Sequence, residues 1–142
     1  MTRQWRIEVY ETEDGKRPFV AWADSLDHAD RLEIAAAIHQ LLVPLGPAVC
    51  GTPWGRHLGR GLFELRIGMH APLASEGPAG TPASGRRILL RVFCHAHGDR
   101  LVLLLGGYDK LRQPKKKEQA RQILIARRRL ADFRRRQTSD KR

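Results

Sequence analysis

Arg66 in LFELRI, Arg87 and Arg91 in RILLRVFCH, and Tyr108 and Lys110 closing LVLLLGGYDK are polar residues on otherwise apolar, alternating runs. Their types suit one kind of chemistry. A guanidinium is a planar fork for phosphate, and a tyrosine can stack on a base. A lysine crowded by like charge gives up its proton more readily, which is the property a general base needs. Metal-independent RNA cleavage requires a 2′-OH to lose its proton, a phosphorane charge to be stabilised and a leaving 5′-oxygen to be protonated. Arginine, lysine and tyrosine can supply all three. If LVLLLGGYDK stays extended, the period of two carries Val102, Leu104, Gly106, Tyr108 and Lys110 to one side. With the polar strand faces aligned, Arg66, Arg87, Arg91, Tyr108 and Lys110 share a shallow groove flanked by Lys115, Lys116 and Lys117. The same arginines also fit ordinary solvated strand faces paired with Glu64 or Asp99, and Tyr108 also fits a packing role.

Net charge points the same way. Residues 1–109 hold 12 Lys/Arg against 12 Asp/Glu, whereas residues 110–142 hold 14 Lys/Arg against Glu118, Asp132 and Asp140. A cationic segment on a neutral domain implies a local polyanion site: RNA, DNA, an acidic protein or a membrane surface. Three cations at 115–117 oppose a helix dipole, whereas the arginine triplets at 127–129 and 134–136 suit a helix C-terminal half.

The elements that would position these residues read as one α+β domain over 1–136, with a tail at 137–142. Alternation in RQWRIEVYET predicts a strand with Trp5, Ile7 and Val9 on one face. PFVAWADSL predicts a short helix with Phe19, Trp22 and Leu26 on one side and Pro18 in its first turn. A second helix, capped by Asp27 and with Asp30 in its first turn, carries Ile34, Ile38, Leu41 and Leu42 and stops before Pro44. GPAVCGTPWGRHLGRG predicts a structured loop. An antiparallel meander follows, from LFELRI, RILLRVFCH and a central LVLLLGG joined by the hairpin HGDR. The Gly/Pro/Ala-rich stretch at about 68–85 predicts a mobile loop. Residues 115–136 predict a basic helix with Ala120, Ile123, Ala126, Leu130 and Phe133 as its buried stripe.

Other readings are limited by composition. The chain opens without the apolar core of a signal peptide, and no uninterrupted apolar run approaches a membrane span, which predicts a cytoplasmic protein without a membrane partner. Cys50 and Cys94 have neither disulfide nor zinc spacing and read as free thiols. His95 and His97 lack an evident carboxylate partner, so no metal is expected there. His95 is instead a minor candidate for a catalytic acid.

In order and spacing, GLFELRI, RRILLRVF, LVLLLGGYDK and EQARQILIARRRLADF resemble the RelE/HigB family of toxins, in its phage-derived HigB-like branch. The resemblance covers nearly the whole chain. It implies a strand and helical hairpin packed on a small antiparallel sheet, followed by a basic C-terminal helix. It also implies a toxin of a type II toxin–antitoxin pair that enters the 30S A site of the ribosome, cleaves mRNA there without a cofactor, and is neutralised by a cognate antitoxin protein. Carried onto this chain, it makes Arg66, Arg87, Tyr108 and Lys110 catalytic; the cationic groove read from the residues adds Arg91, Arg112, Lys115, Lys116 and Lys117 as RNA-binding. Many relatives carry two lysines after the aromatic residue, where this chain has Asp109, Lys110 and Leu111. The other class compatible with the same architecture is a binding protein, either a ParE-like toxin of DNA gyrase or an inactive nucleic-acid-binding accessory.

Overall fold

The computed structural model describes residues 3–68 and 88–140. The expected loop at about 68–85 and the candidate Arg87 fall outside the described residues, apart from Gly68. Five strands, β1 (Arg6–Val9), β2 (Gly55–Gly59), β3 (Leu62–Ile67), β4 (Leu90–His97) and β5 (Leu101–Asp109), form one sheet in the order β1-β5-β4-β3-β2. β3, β4 and β5 are antiparallel neighbours, as the meander predicts; β2 extends them antiparallel on β3, and β1 adds to β5 in parallel, making the sheet mixed. The fold is α+β.

One face of the sheet is covered by the N-terminal helices. Helix α1 (Pro18–Asp24) brings Phe19 and Trp22, and α2 (His28–Ala37) brings Ile34 and Ala37, onto Phe63, Leu65, Ile67, Leu90, Val92, Cys94, Val102 and Leu104. Asp27 occupies the N-cap position of α2 as expected. Pro44 does not end the helical path. A π-turn over Ile38–Leu42 resets the ladder, with the Val43 N–H donating to Ile38 O, so Pro44 falls in the first turn of a fresh three-residue helix, α3 (Val43–Leu45). An N–H is not required at that position. A 3-10 helix, Gly46–Gly51, follows. The helical run His28–Gly51 is long and apolar enough by composition to cross a bilayer, which reading uninterrupted apolar stretches missed. Here Ile34, Ala37, Leu41, Leu42 and Val49 are buried in the core against the sheet.

The stretch expected as a structured loop contains β2. Its residues do not alternate, because it is an edge strand with Arg56, His57 and Gly59 exposed and a register shift between His57 and Gly59. β3 obeys the period of two, with Phe63, Leu65 and Ile67 on the α1/α2 face and Leu62, Glu64 and Arg66 on the other.

The second face is covered by α4 (Lys116–Asp140), where Ala126 and Leu130 are buried against Leu62, Phe93, Leu103 and Leu105. Ile123 and Phe133 flank them, but Ala120 is exposed and lies outside the stripe. The helix runs through residues 137–140, where a tail was expected; Gln137 is half-buried, so the last turn still packs.

One irregularity changes the phase of β5. Leu105 and Gly106 together oppose Phe93, so a bulge inserts one residue between Leu104 and Gly107. Val102 and Leu104 therefore face α1 and α2, whereas Tyr108 faces α4. The expectation of one unbroken face from Val102 to Lys110 is corrected on this point. Gly107 lies against α1: a Cβ there would come 2.4 Å from the Trp22 ring and 2.7 Å from the Arg91 carbonyl. Gly107→Ala is expected to cost about 1–3 kcal/mol of stability by overpacking, read as a lowered urea midpoint with an unchanged slope.

Candidate active site

Because β5 slips by one residue, Arg66, Arg91 and Tyr108 become partners in register across β3, β4 and β5 on the α4 face. With strands ~4.8 Å apart, the three Cα atoms span roughly 10 Å. Glu64 lies two residues from Arg66 on the same face. The Tyr108 ring stacks on Phe93, with centroids 6.0 Å apart and planes 6° off parallel.

The row is enclosed rather than open. Glu64, Arg91 and Tyr108 are each 1% exposed, and only the Arg66 side chain, at 25%, reaches solvent among these four. Its Nε lies 3.9 Å from Glu64 Oε1, an ion pair too long for a hydrogen bond. Arg91 donates to the Leu90 carbonyl at 3.0 Å. Among the described residues, Glu64 Oε2, Arg66 Nε and Tyr108 OH are buried with no hydrogen-bond partner. Burial, then the neighbouring Glu64, push the Tyr108 phenol above its ordinary pKa, against the pull of Arg91; Glu118 on α4 adds to the rise. The phenol therefore holds its proton. Burial also pushes Arg91 below its usual value, with Arg66 adding and Glu64 opposing.

Lys110 keeps the phase of Tyr108. Its N–H donates to Leu89 O at 2.8 Å, which prolongs the β4–β5 ladder in the same register, and the residue is half-buried at the strand end. Arg112 is exposed and pairs with Asp109 at 3.6 Å, whose carboxylate also accepts from the Leu111 N–H. Lys115, Lys116 and Lys117 are exposed where α4 begins. Glu118, in the first turn, offsets their opposition to the dipole and accepts from Arg121 and Gln122. The structure thus brings Arg66, Arg91 and Tyr108 into one row with Lys110 at its end, and leaves Arg112 and Lys115–Lys117 on the adjoining surface.

Much of the remaining positive charge is structural. Arg127 donates to the Gly59 and Leu58 carbonyls, and Arg134 to that of Arg60, which ties α4 to the β2–β3 turn. Arg129 donates to Leu105 O at 2.9 Å, at the bulge. Arg135 pairs with Glu13 and Asp132. Arg136 binds Asp132 and the Glu11 carbonyl and lies 5.5 Å from the Tyr10 ring centroid. These bonds add to the helix dipole, which accounts for part of these triplets.

Two other sequence candidates lie away from the row. His95 Nδ1–H donates to Gly61 O at 2.7 Å, and burial pushes the imidazole below its usual pKa. His97 lies 6.0 Å from it, and Phe133 meets both rings edge-on. Among the described residues no third His, Cys, Asp or Glu joins them in a group able to hold a metal. Cys50 and Cys94 are free thiols, Cys94 buried and Cys50 half-buried, each pushed up by burial.

Neither a family model nor a curated protein matches the chain. Sequence reasoning gave Glu64 only the role of a surface pairing partner, and its place beside two arginines on an inward face was the available signal.

The far end of α4 offers a pH test. Tyr10 OH donates to Asp132 at 2.5 Å, and this bond, followed by those from Arg135 and Arg136, holds the Asp132 carboxyl below its usual value. A lowered folded pKa contributes stability that is complete above the unfolded value and is lost as pH falls through the folded one. Tyr10→Phe is expected to lose about 1 kcal/mol at neutral pH, and the deficit should vanish as pH falls below ~4, in paired urea titrations.

Proposed function

We propose that the chain is a toxin of a type II toxin–antitoxin pair that cleaves mRNA on the ribosome. The single observation that supports this best is the row Arg66–Arg91–Tyr108, in which Arg66 Nε and Tyr108 OH are buried without a hydrogen-bond partner among the described residues, beside exposed Lys115, Lys116 and Lys117. Buried polar groups are normally bonded, and a cluster of unbonded ones next to a cationic surface fits a site that awaits an oxyanion.

In this reading the 2′-oxygen of the message attacks the adjacent phosphorus and passes its proton to Lys110. Arg66, the guanidinium with access to solvent, forks onto the phosphorane oxygens. Arg91 adds its field from beneath. Tyr108, which keeps its proton, delivers one to the departing 5′-oxygen, leaving a 2′,3′-cyclic phosphate and a 5′-hydroxyl. Lys115–Lys117 and Arg112 hold the flanking phosphates. The partners are the 30S A site, the message and an acidic antitoxin, in the cytoplasm, with no cofactor required.

A second reading draws on the burial of Arg91 and Tyr108. Two enclosed candidate groups also fit a ParE-like protein that binds DNA gyrase and cuts nothing. Translation of a defined mRNA with the purified chain, with and without ribosomes, separates the two. Primer extension should map cuts only on translated message. Lys110→Ala and Arg66→Ala should each slow cleavage by about 100-fold or more with the far-ultraviolet spectrum unchanged. Intact message beside an active control nuclease would reject the nuclease reading, and gyrase supercoiling would then be assayed.

A further inference from the structure

Glu64 has no part in the steps above, yet its position is unusual. It sits between Leu62 and Arg66 on the α4 face of β3, 1% exposed, where a leucine like Leu62 would pack without cost. Arg66 and Arg91 lie directly opposite each other on adjacent strands. Like charges so placed repel, and a buried guanidinium needs a counter-ion. The Glu64 carboxylate faces both. Among the described residues it is not fully engaged: Oε1 is 3.9 Å from Arg66 Nε, and Oε2 is buried without a partner, as is Tyr108 OH. A carboxylate kept only for stability would be expected to have its lone pairs bonded.

We propose that Glu64 is a positioning residue: its carboxylate draws Arg66 Nε inward, so that the terminal fork of that guanidinium faces a phosphodiester, and it offsets the repulsion between Arg66 and Arg91. The catalytic consequence rests on the nuclease reading, whereas the placement of the charge does not. Glu64 also faces Tyr108, together with Arg91 on β4 and Glu118 on α4, and its charge helps keep the phenol protonated.

The test uses Glu64→Gln, which keeps the shape and removes the charge. Ribosome-dependent cleavage should slow by about tenfold or more, and the same substitution added to Arg66→Ala should change the rate little, because Glu64 acts through Arg66. Tyrosinate absorbance, taken as the difference from Tyr108→Phe in each background, should show the Tyr108 midpoint falling. The chain has two tyrosines, so the subtraction isolates one. A wild-type cleavage rate in Glu64→Gln, or an equal loss with and without Arg66, would overturn the positioning role. An unmoved tyrosinate midpoint would overturn the placement of the charge. If the wild-type chain cleaves nothing, the nuclease reading fails and takes the catalytic role with it; a lowered midpoint would still support the placement. Should Glu64→Gln fail to fold, Glu64→Asp, which keeps the charge but withdraws it by one methylene, should still slow cleavage through Arg66 and leave the midpoint near that of the wild type.

Discussion

One extra residue in β5 decides what the second face of the sheet contains. Leu105 and Gly106 share Phe93 as their partner, and beyond them every side chain changes sides. Without the bulge, Tyr108 would turn toward α1, away from Arg66 and Arg91. The bulge leaves a carbonyl outside the ladder's regular pairing, and Arg129 of α4 satisfies it at 2.9 Å. Gly106 has a φ of 147° and lies so close to Arg129 that a side chain would collide with the guanidinium. The bond that makes the bulge tolerable thus also holds α4 on the sheet, and a glycine is what this backbone allows.

The helix is fastened by hydrogen bonds to backbone as well as by apolar burial. Ala126 and Leu130 are its buried apolar residues, whereas Arg127, Arg129 and Arg134 reach carbonyls on two strands and a turn. Charge-assisted bonds of this kind are stronger than neutral ones, and the long arginine stems cover apolar surface on the way. A chain with a large positive excess therefore uses part of it internally. The cations on the adjoining surface cluster at the opposite end of α4, beside the end of β5.

That end of the sheet accepts an energetic penalty. Leaving a buried donor or acceptor unbonded costs about 1–3 kcal/mol each, and three such atoms lie together at Glu64, Arg66 and Tyr108. A sheet built for stability alone would close such a row with leucines, as it does at Leu62, Leu103 and Leu105. The core on the α1/α2 face, whose central residues are fully buried, offsets that penalty.

Elements whose burial follows a simple period are encoded locally in the residues. The alternations in β3 and β4, the apolar run of β5, the start of α2 after Asp27 and the Ala126–Leu130 stripe were all legible, because each element's apolar spacing is a local property. β2 was not legible, since an edge strand exposed on one side imposes no alternation on Arg56, His57 and Gly59. Nor was the passage of Pro44 through a helical path, which depends on the π-turn before it. For the candidate site, residue types pointed to Arg66, Arg91, Tyr108 and Lys110 from the start, but the phase that unites them passes through a bulge that no period encodes. Tertiary structure alone decided that Tyr108 turns toward α4, that Glu64 is buried beside two arginines, and that the C-terminal arginines bind carbonyls. Those outcomes depend on which strand, turn or helix lies opposite, and partners distant in the chain leave no periodic mark in the sequence.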